Sequence, residues 1–349
     1  MNKYGVVFTV ISLLSPVVVA APMMYVPTGN ANDIVIIDLE TDKIVGRIGE
    51  LENAHGLSSS PNSDYLVAGS MKPLEHDLPP NPDKPAVVSE AEHAAHHAGG
   101  DSNSASPTGK SYVSIVHPKH GRVMRRIAVR SLTHHTAVSP DGKTAVAVHS
   151  GAGGISVVDL DKMAVVTTID TGQWPNYVVF TKDGNRLYVS NAGANTISEI
   201  DTQSWKIVRE LKAGKEPEHM VLGTHGRMLY TANKGDASAS AIDLISGEVK
   251  QTYAVGKKPH GIDVSDDGRW LFVASKKEGL ITRIDLSNAE KLRVDLKPAP
   301  YHLKFTENKV YVSSRKQAKI WVLDPMTLAV KNTIGLKQGV AHQMVIREE

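Results

Sequence analysis

The chain has 349 residues, with 39 Lys and Arg against 37 Asp and Glu, a formal charge of +2, and no cysteine. A nearly balanced charge without a long basic run argues against nucleic-acid binding. The missing thiol excludes disulfides, thiolate metal sites and cysteine nucleophiles, so a transition-metal site can draw only on imidazole, carboxylate and thioether.

Residues 1–20 read as a secretory signal peptide. Lys3 is followed by an apolar run from Val6 to Val19, interrupted by Pro16, and Val18-Val19-Ala20 forms a small-residue cleavage site. The run is short for a membrane span. The expectation is a mature chain from Ala21 without a membrane span, placed in the periplasm of a Gram-negative cell.

Residues 23–49, MMYVPTGNANDIVIIDLETDKIVGRIG, hold three alternating apolar stretches that align with strands b, c and d of the units that follow. The first full unit begins at His55. Its strand b (Tyr65–Ser70) is separated from its strand c (Ser111–Val116) by an insertion at about 73–110, rich in proline, alanine, serine and glycine. Such composition buries little apolar area and predicts a flexible segment. Within it, Ser89 to Glu92 (SEAE) is a capping-box pattern ahead of alanine-rich sequence that stops at Gly99-Gly100. On such a helix His93, His96 and His97 would share a face, with His76 upstream. These four histidines are candidate accessory metal ligands, since three histidines within five residues is a compositional cue for metal.

Further along, residues 134–142 (HHTAVSPDG), 176–184 (NYVVFTKDG), 218–226 (EHMVLGTHG) and 260–268 (HGIDVSDDG) repeat one pattern at a spacing of 42, and Tyr301 and His342 follow at 41. A period in the low forties made of four short alternating strands predicts an all-β propeller of four-stranded blades. In the unit starting at Asn176, strand a is Asn176–Thr181, b is Arg186–Ser190, c is Thr196–Ile200 and d is Lys206–Leu211. Asp38, Asp159, Asp201, Asp243, Asp285 and Asp324 recur at the c–d corner, where aspartate caps its own turn rather than serving catalysis. The C-terminal HQMVIREE supplies one strand, which joins the three N-terminal ones as a seventh blade and closes the ring. Residues 21–349 are thus expected to form a single seven-bladed β-propeller domain.

Histidine marks the start of strand a in six of seven units. His55, His134, His260 and His342 share the first position with Asn176, Glu218 and Tyr301; His135, His219 and His302 share the second with Tyr177. Seven of the chain's 15 histidines therefore fall on two positions per blade. Imidazoles converging on a ring axis suit a borderline-soft ion, so these seven are the candidate metal ligands, with zinc or copper as the ion. Neighbouring strand residues point to opposite faces, so all seven can face the axis only if the strand starts are bent. Glu218 is a candidate accessory ligand or a partner that sets an imidazole tautomer, and His149 a further accessory candidate. Ligand histidines must be neutral, so affinity is expected to fall below about pH 6. The insertion and the strand-a starts are expected on one face. No catalytic residue is assigned: no nucleophilic triad, phosphate-binding glycine loop or carboxylate pair stands out.

The stretch YVSNAGANTISEID at 188–201 resembles the YVTN-type repeat of bacterial seven-bladed propellers, across essentially the whole mature chain. The histidine-lined axis with a histidine-containing loop is similar to periplasmic zinc-chaperone propellers that serve metal importers. That resemblance implies a non-enzymatic protein that captures a metal and passes it to an importer or another metal-binding protein. His134-His135 also looks like the paired histidines of nitrous oxide reductase, which with thiocyanate dehydrogenase implies a copper oxidoreductase working with a redox partner; the cysteine-bearing electron-transfer domain of the former is missing here. A third resemblance, to the haem-binding propellers of nitrite reduction, implies tetrapyrrole binding or protein docking.

Overall fold

The computed structural model describes residues 21–74, 109–306 and 308–348, which form seven four-stranded antiparallel sheets arranged as a propeller. Residues 1–20, where a signal peptide is expected, and His76, His93, His96 and His97 lie outside the described residues. Counting from the sheet that carries His55, the inner strands are Ala54–Ser58, Thr136–Val138, Pro175–Phe180, Pro217–Leu222, Pro259–Val264, Pro300–Thr306 and Val345–Arg347. The last of these pairs with Met23–Pro27 in the register Met23↔Arg347 to Tyr25↔Val345, so one blade is built from both ends of the chain. This clasp removes two sheet edges at once.

Alternation along the strands decides what packs between blades. Second and third strands are buried on both faces, as in Leu66–Ser70 and Ser238–Asp243, whereas outermost strands such as Ala164–Asp170 alternate exposed and half-buried. The core is therefore a set of apolar layers between neighbouring sheets. One layer joins the clasp blade to blade 6 through Met24, Val35, Ile37, Tyr311, Ile320 and Val322.

The recurrent aspartates are turn formers. Oδ1 of Asp38 accepts the backbone N–H groups of Glu40 and Thr41, both at 2.9 Å, and Asp159 and Asp324 repeat the pattern. The insertion leaves blade 1 after Ser70 and returns at Ser111, with Leu74 N–H bonded to the carbonyl of Lys110 at 2.8 Å. Ser70 pairs with Ala54, the residue before His55, so the ends of the insertion sit on the face where inner strands begin.

Candidate metal centre

The start of the inner strand is bent in five of the seven blades, and that bend helps assemble the site. The residue before the strand holds a left-handed backbone in five blades: Asn53 (φ 44°), Trp174 (49°), Glu216 (51°), Lys258 (54°) and Ala299 (45°). The ladder then shifts register across the next residues, between Ala54 and Leu57, Pro175 and Val178, Pro217 and Met220, Pro259 and Ile262, and Pro300 and Leu303. A bulge at this place re-aims side chains that a regular strand would send to opposite faces. Both histidine positions consequently reach the axis, one layer behind the other. Gly56 and Gly261 occupy the second position in blades 1 and 5. A Cβ on Gly56 would stand 2.6 Å from His135 Cα, so a bare backbone is what lets these strand starts approach.

All seven axial histidines are buried, none more than 5% exposed. Their rings form a continuous cluster. In the first layer His55 packs against His342 at 3.9 Å and His134 at 4.4 Å between ring centroids, and His260 stacks flat on Tyr301 at 4.1 Å. In the second layer His219 lies 4.5 Å from His135 and 4.7 Å from His302. Tyr177 closes this layer, 4.4 Å from His219 and 4.9 Å from His135.

Within this cluster the second layer forms a possible metal site. His135, His219 and His302 each offer one ring nitrogen, and these three atoms lie within 4.8 Å of one another. Nε2 of His135 and Nε2 of His219 are 3.1 Å apart. Three nitrogens at the Zn–N distance of about 2.0–2.1 Å in a tetrahedral site stand about 3.3 Å from each other, so modest ring rotation suffices. Hydrogen bonding orients the first of them. His135 Nδ1 sits 2.7 Å from the Asn176 carbonyl, which can only accept, so the proton is on Nδ1 and the Nε2 lone pair faces the site. Nε2 of His302 is buried without a hydrogen-bond partner among the described residues. A buried imidazole nitrogen left in that state is costly unless water or a cation meets it.

The protonation state also fits. Burial, reinforced by the neighbouring imidazoles, holds His135, His260 and His302 well below the ordinary histidine range; burial takes His219 down to about 3, although Glu218 pulls the other way. The rings are neutral at pH 7, as ligands must be. Proton competition near pH 6, expected from sequence, is correspondingly moved to lower pH.

The accessory candidates separate. Glu218, buried in the first layer, accepts the Nδ1 proton of His260 on one oxygen and pairs with Lys234 at 3.0 Å through the other, with Lys276 at 3.9 Å. Burial alone would raise its pKa, but Lys276 and Lys234 outweigh that and bring it to about 2. It orients an imidazole and is already occupied by cations. His149 is engaged within its own neighbourhood: Nδ1 donates to the Leu132 carbonyl at 3.2 Å and Nε2 accepts from Ser156 Oγ at 2.8 Å. Two residues beside the cluster are not site candidates on sequence, although Tyr177 falls at the second repeat position. Tyr177 and Gln343 share the second position, and Gln343 Nε2 lies 3.4 Å from the Tyr177 hydroxyl. They line, with His219 and His302, the inner end of a cavity of about 530 Å³ whose other end reaches Pro140 and Lys182, beside the a–b turns. That channel runs from the face opposite the inner-strand starts, along walls that include Met220, Ile262 and Leu303.

Comparison with known proteins supports the architecture. A family described as "Lactonase, 7-bladed beta-propeller" matches residues 199–298, and a domain of unknown function, DUF5074, matches residues 83–216. No curated protein matches the sequence. Among solved structures, hydrazine synthase of Kuenenia stuttgartiensis is similar with a TM-score of 0.67 at 15% identity, covering 91% of this chain and 99% of that one. Dihydro-heme d1 dehydrogenase NirN in complex with DHE is similar at 0.62 and 17% identity, covering 90% of this chain and 63% of that one. A protein described as a 6-phosphogluconolactonase from Bacteroides uniformis is similar at 0.69 and 14% identity, covering 94% of this chain and all of the other. At these identities the likeness shows the fold: a seven-bladed propeller. Among the described residues no helix is long and apolar enough to cross a membrane.

Proposed function

We propose that this chain is a periplasmic metal-binding propeller that captures zinc or copper through its axial histidines and hands the ion on to a metal importer or another metal-binding protein. The observation that carries the reading is the second-layer triad, His135, His219 and His302, with three nitrogens within 4.8 Å in a buried pocket of neutral rings. Three protein ligands leave a fourth position open, which is where a receiving ligand would enter during transfer. The first layer supports the second: Glu218 fixes the tautomer of His260, whose ring packs 4.1 Å from His219 and 4.9 Å from His302.

The test is metal analysis of the purified full chain, followed by titration with zinc and copper(I). One ion per chain, lost in His219→Gln and His302→Gln, supports the proposal. A chain that stays metal-free with both ions, or variants that bind as the wild type does, would overturn it. Several copper ions with charge-transfer bands would instead identify a copper oxidoreductase. A second reading, tetrapyrrole binding, is favoured by the channel of about 530 Å³ that ends on His219 and His302; a porphyrinoid visible spectrum would decide for it.

A further inference from the structure

In five blades the residue just after the second strand sits at the mouth, on the face where the inner strands begin. Its backbone N–H is donated to the carbonyl of the residue that precedes the inner strand: Lys234 to Glu216 at 2.9 Å, Lys276 to Lys258 at 3.1 Å and Arg315 to Ala299 at 3.0 Å. In blades 1 and 3 the same place is held by Met71 and Ala192. Three consecutive blades thus present a cation at one side of the mouth, and the facing blades do not.

The negative charges here do not match them. Lys234 takes both nearby carboxylates, Glu216 at 2.9 Å and Glu218 at 3.0 Å. Lys276 is left with Glu218 at 3.9 Å, beyond hydrogen-bond reach, and its ammonium has no hydrogen-bond partner among the described residues although its side chain is only 8% exposed. Arg315 forms no ion pair among the described residues, and its Nε is buried without a hydrogen-bond partner. Both cations flank Tyr301, each 5.6 Å from the ring centroid, and that ring is held flat against His260. The Lys276 ammonium keeps an ion pair with Glu218 but makes no hydrogen bond, and a buried ammonium without an acceptor in hydrogen-bond reach is disfavoured. A guanidinium and an ammonium on adjacent blades, both 5.6 Å from the centre of one aromatic ring, are donors of the kind that hold an oxyanion.

We infer that Lys276 and Arg315 form an anion-binding site for a small oxyanion, a carboxylate or a phosphoryl group, at the mouth of the propeller beside Tyr301. The site is distinct from the histidine triad and needs no metal. The test uses the full chain stripped of metal with a chelator that is then removed. Inorganic phosphate and acetate are titrated by calorimetry and by thermal melting, with potassium chloride at matched ionic strength as reference. Saturable heat and a saturable rise in melting temperature with phosphate identify a phosphoryl site, and with acetate a carboxylate site. Arg315→Gln should weaken the bound probe at least ten-fold, and Lys276→Met should abolish it. Should Lys276→Met fail to fold, the half-buried Arg315→Gln carries the test. Responses equal to those of chloride, or unchanged in Arg315→Gln, would overturn the assignment.

Discussion

Adding one methyl group at Gly56 tests whether backbone contact between blades 1 and 2 places the candidate ligand His135. An alanine Cβ there would stand 2.6 Å from His135 Cα and 2.9 Å from both its carbonyl carbon and Thr136 N. Ordinary contact for such atoms begins at 3.4 Å, so the two strand starts must separate by about 0.8 Å. All three atoms are main chain, so no side-chain rotation relieves them. Metal–ligand distances tolerate only about 0.2 Å, so a shift of this size takes His135 Nε2 out of bonding reach or forces its ring to rotate. Overpacking of this kind costs about 1–3 kcal/mol of stability. The expected result for Gly56→Ala is a melting temperature lower by a few degrees and metal affinity reduced at least ten-fold, read by competition against a chromophoric chelator. Gly49→Ala, where nothing lies within 4 Å of the added carbon, should change neither. If Gly56→Ala melts lower yet binds metal as tightly as the wild type, the placement of His135 does not depend on this contact and the reasoning is refuted.

Three further outcomes follow from the same structure. Glu218→Gln removes the buried negative charge that Lys234 and His260 share, and unmaking such a pair costs about 3–5 kcal/mol; Glu218→Gln with Lys234→Met should recover part of the lost melting temperature, and a double variant no better than additive would contradict the coupling. His149, which burial depresses from the ordinary 6.5 to about 4, takes up a proton near pH 6.5 when unfolded, so its contribution is complete above that pH and lost as pH falls towards 4, amounting to roughly 3 kcal/mol. Melting curves between pH 7 and 4.5 should therefore fall less steeply in His149→Asn than in the wild type; parallel curves would count against it. Deleting residues 342–349 removes the inner strand of the clasp blade and the partner of Met23 to Tyr25, exposing an edge. The truncated chain should lose its cooperative melting transition and aggregate, and retention of a wild-type transition would show that the clasp is dispensable.

Much of the fold was legible in the sequence because a propeller blade is a local object. The 42-residue spacing, alternating strands and the corner aspartates all depend on residues near one another in the chain, and Asn176–Thr181, Arg186–Ser190 and Thr196–Ile200 fall within a residue or so of the observed strands. The two histidine positions were legible for the same reason, as was the face on which the insertion's two ends meet the strand starts, which follows from counting strand reversals.

What the sequence by itself determined, then, was a repeat and a set of imidazoles at its matching points. Only the tertiary structure decided which of them meet. Alternation forbids adjacent residues of a regular strand from facing one axis. His134 and His135 escape it because both bond to Val148 ahead of the regular strand, and in five other blades left-handed residues and register shifts do so; those conformations are adopted by Asn, Trp, Glu, Lys and Ala alike, so residue type does not announce them. The selection of His135, His219 and His302, the capture of Glu218 by His260 and Lys234, and the meeting of Lys276 and Arg315 at Tyr301 all arise between blades, from distances across the ring that no spacing along the chain encodes.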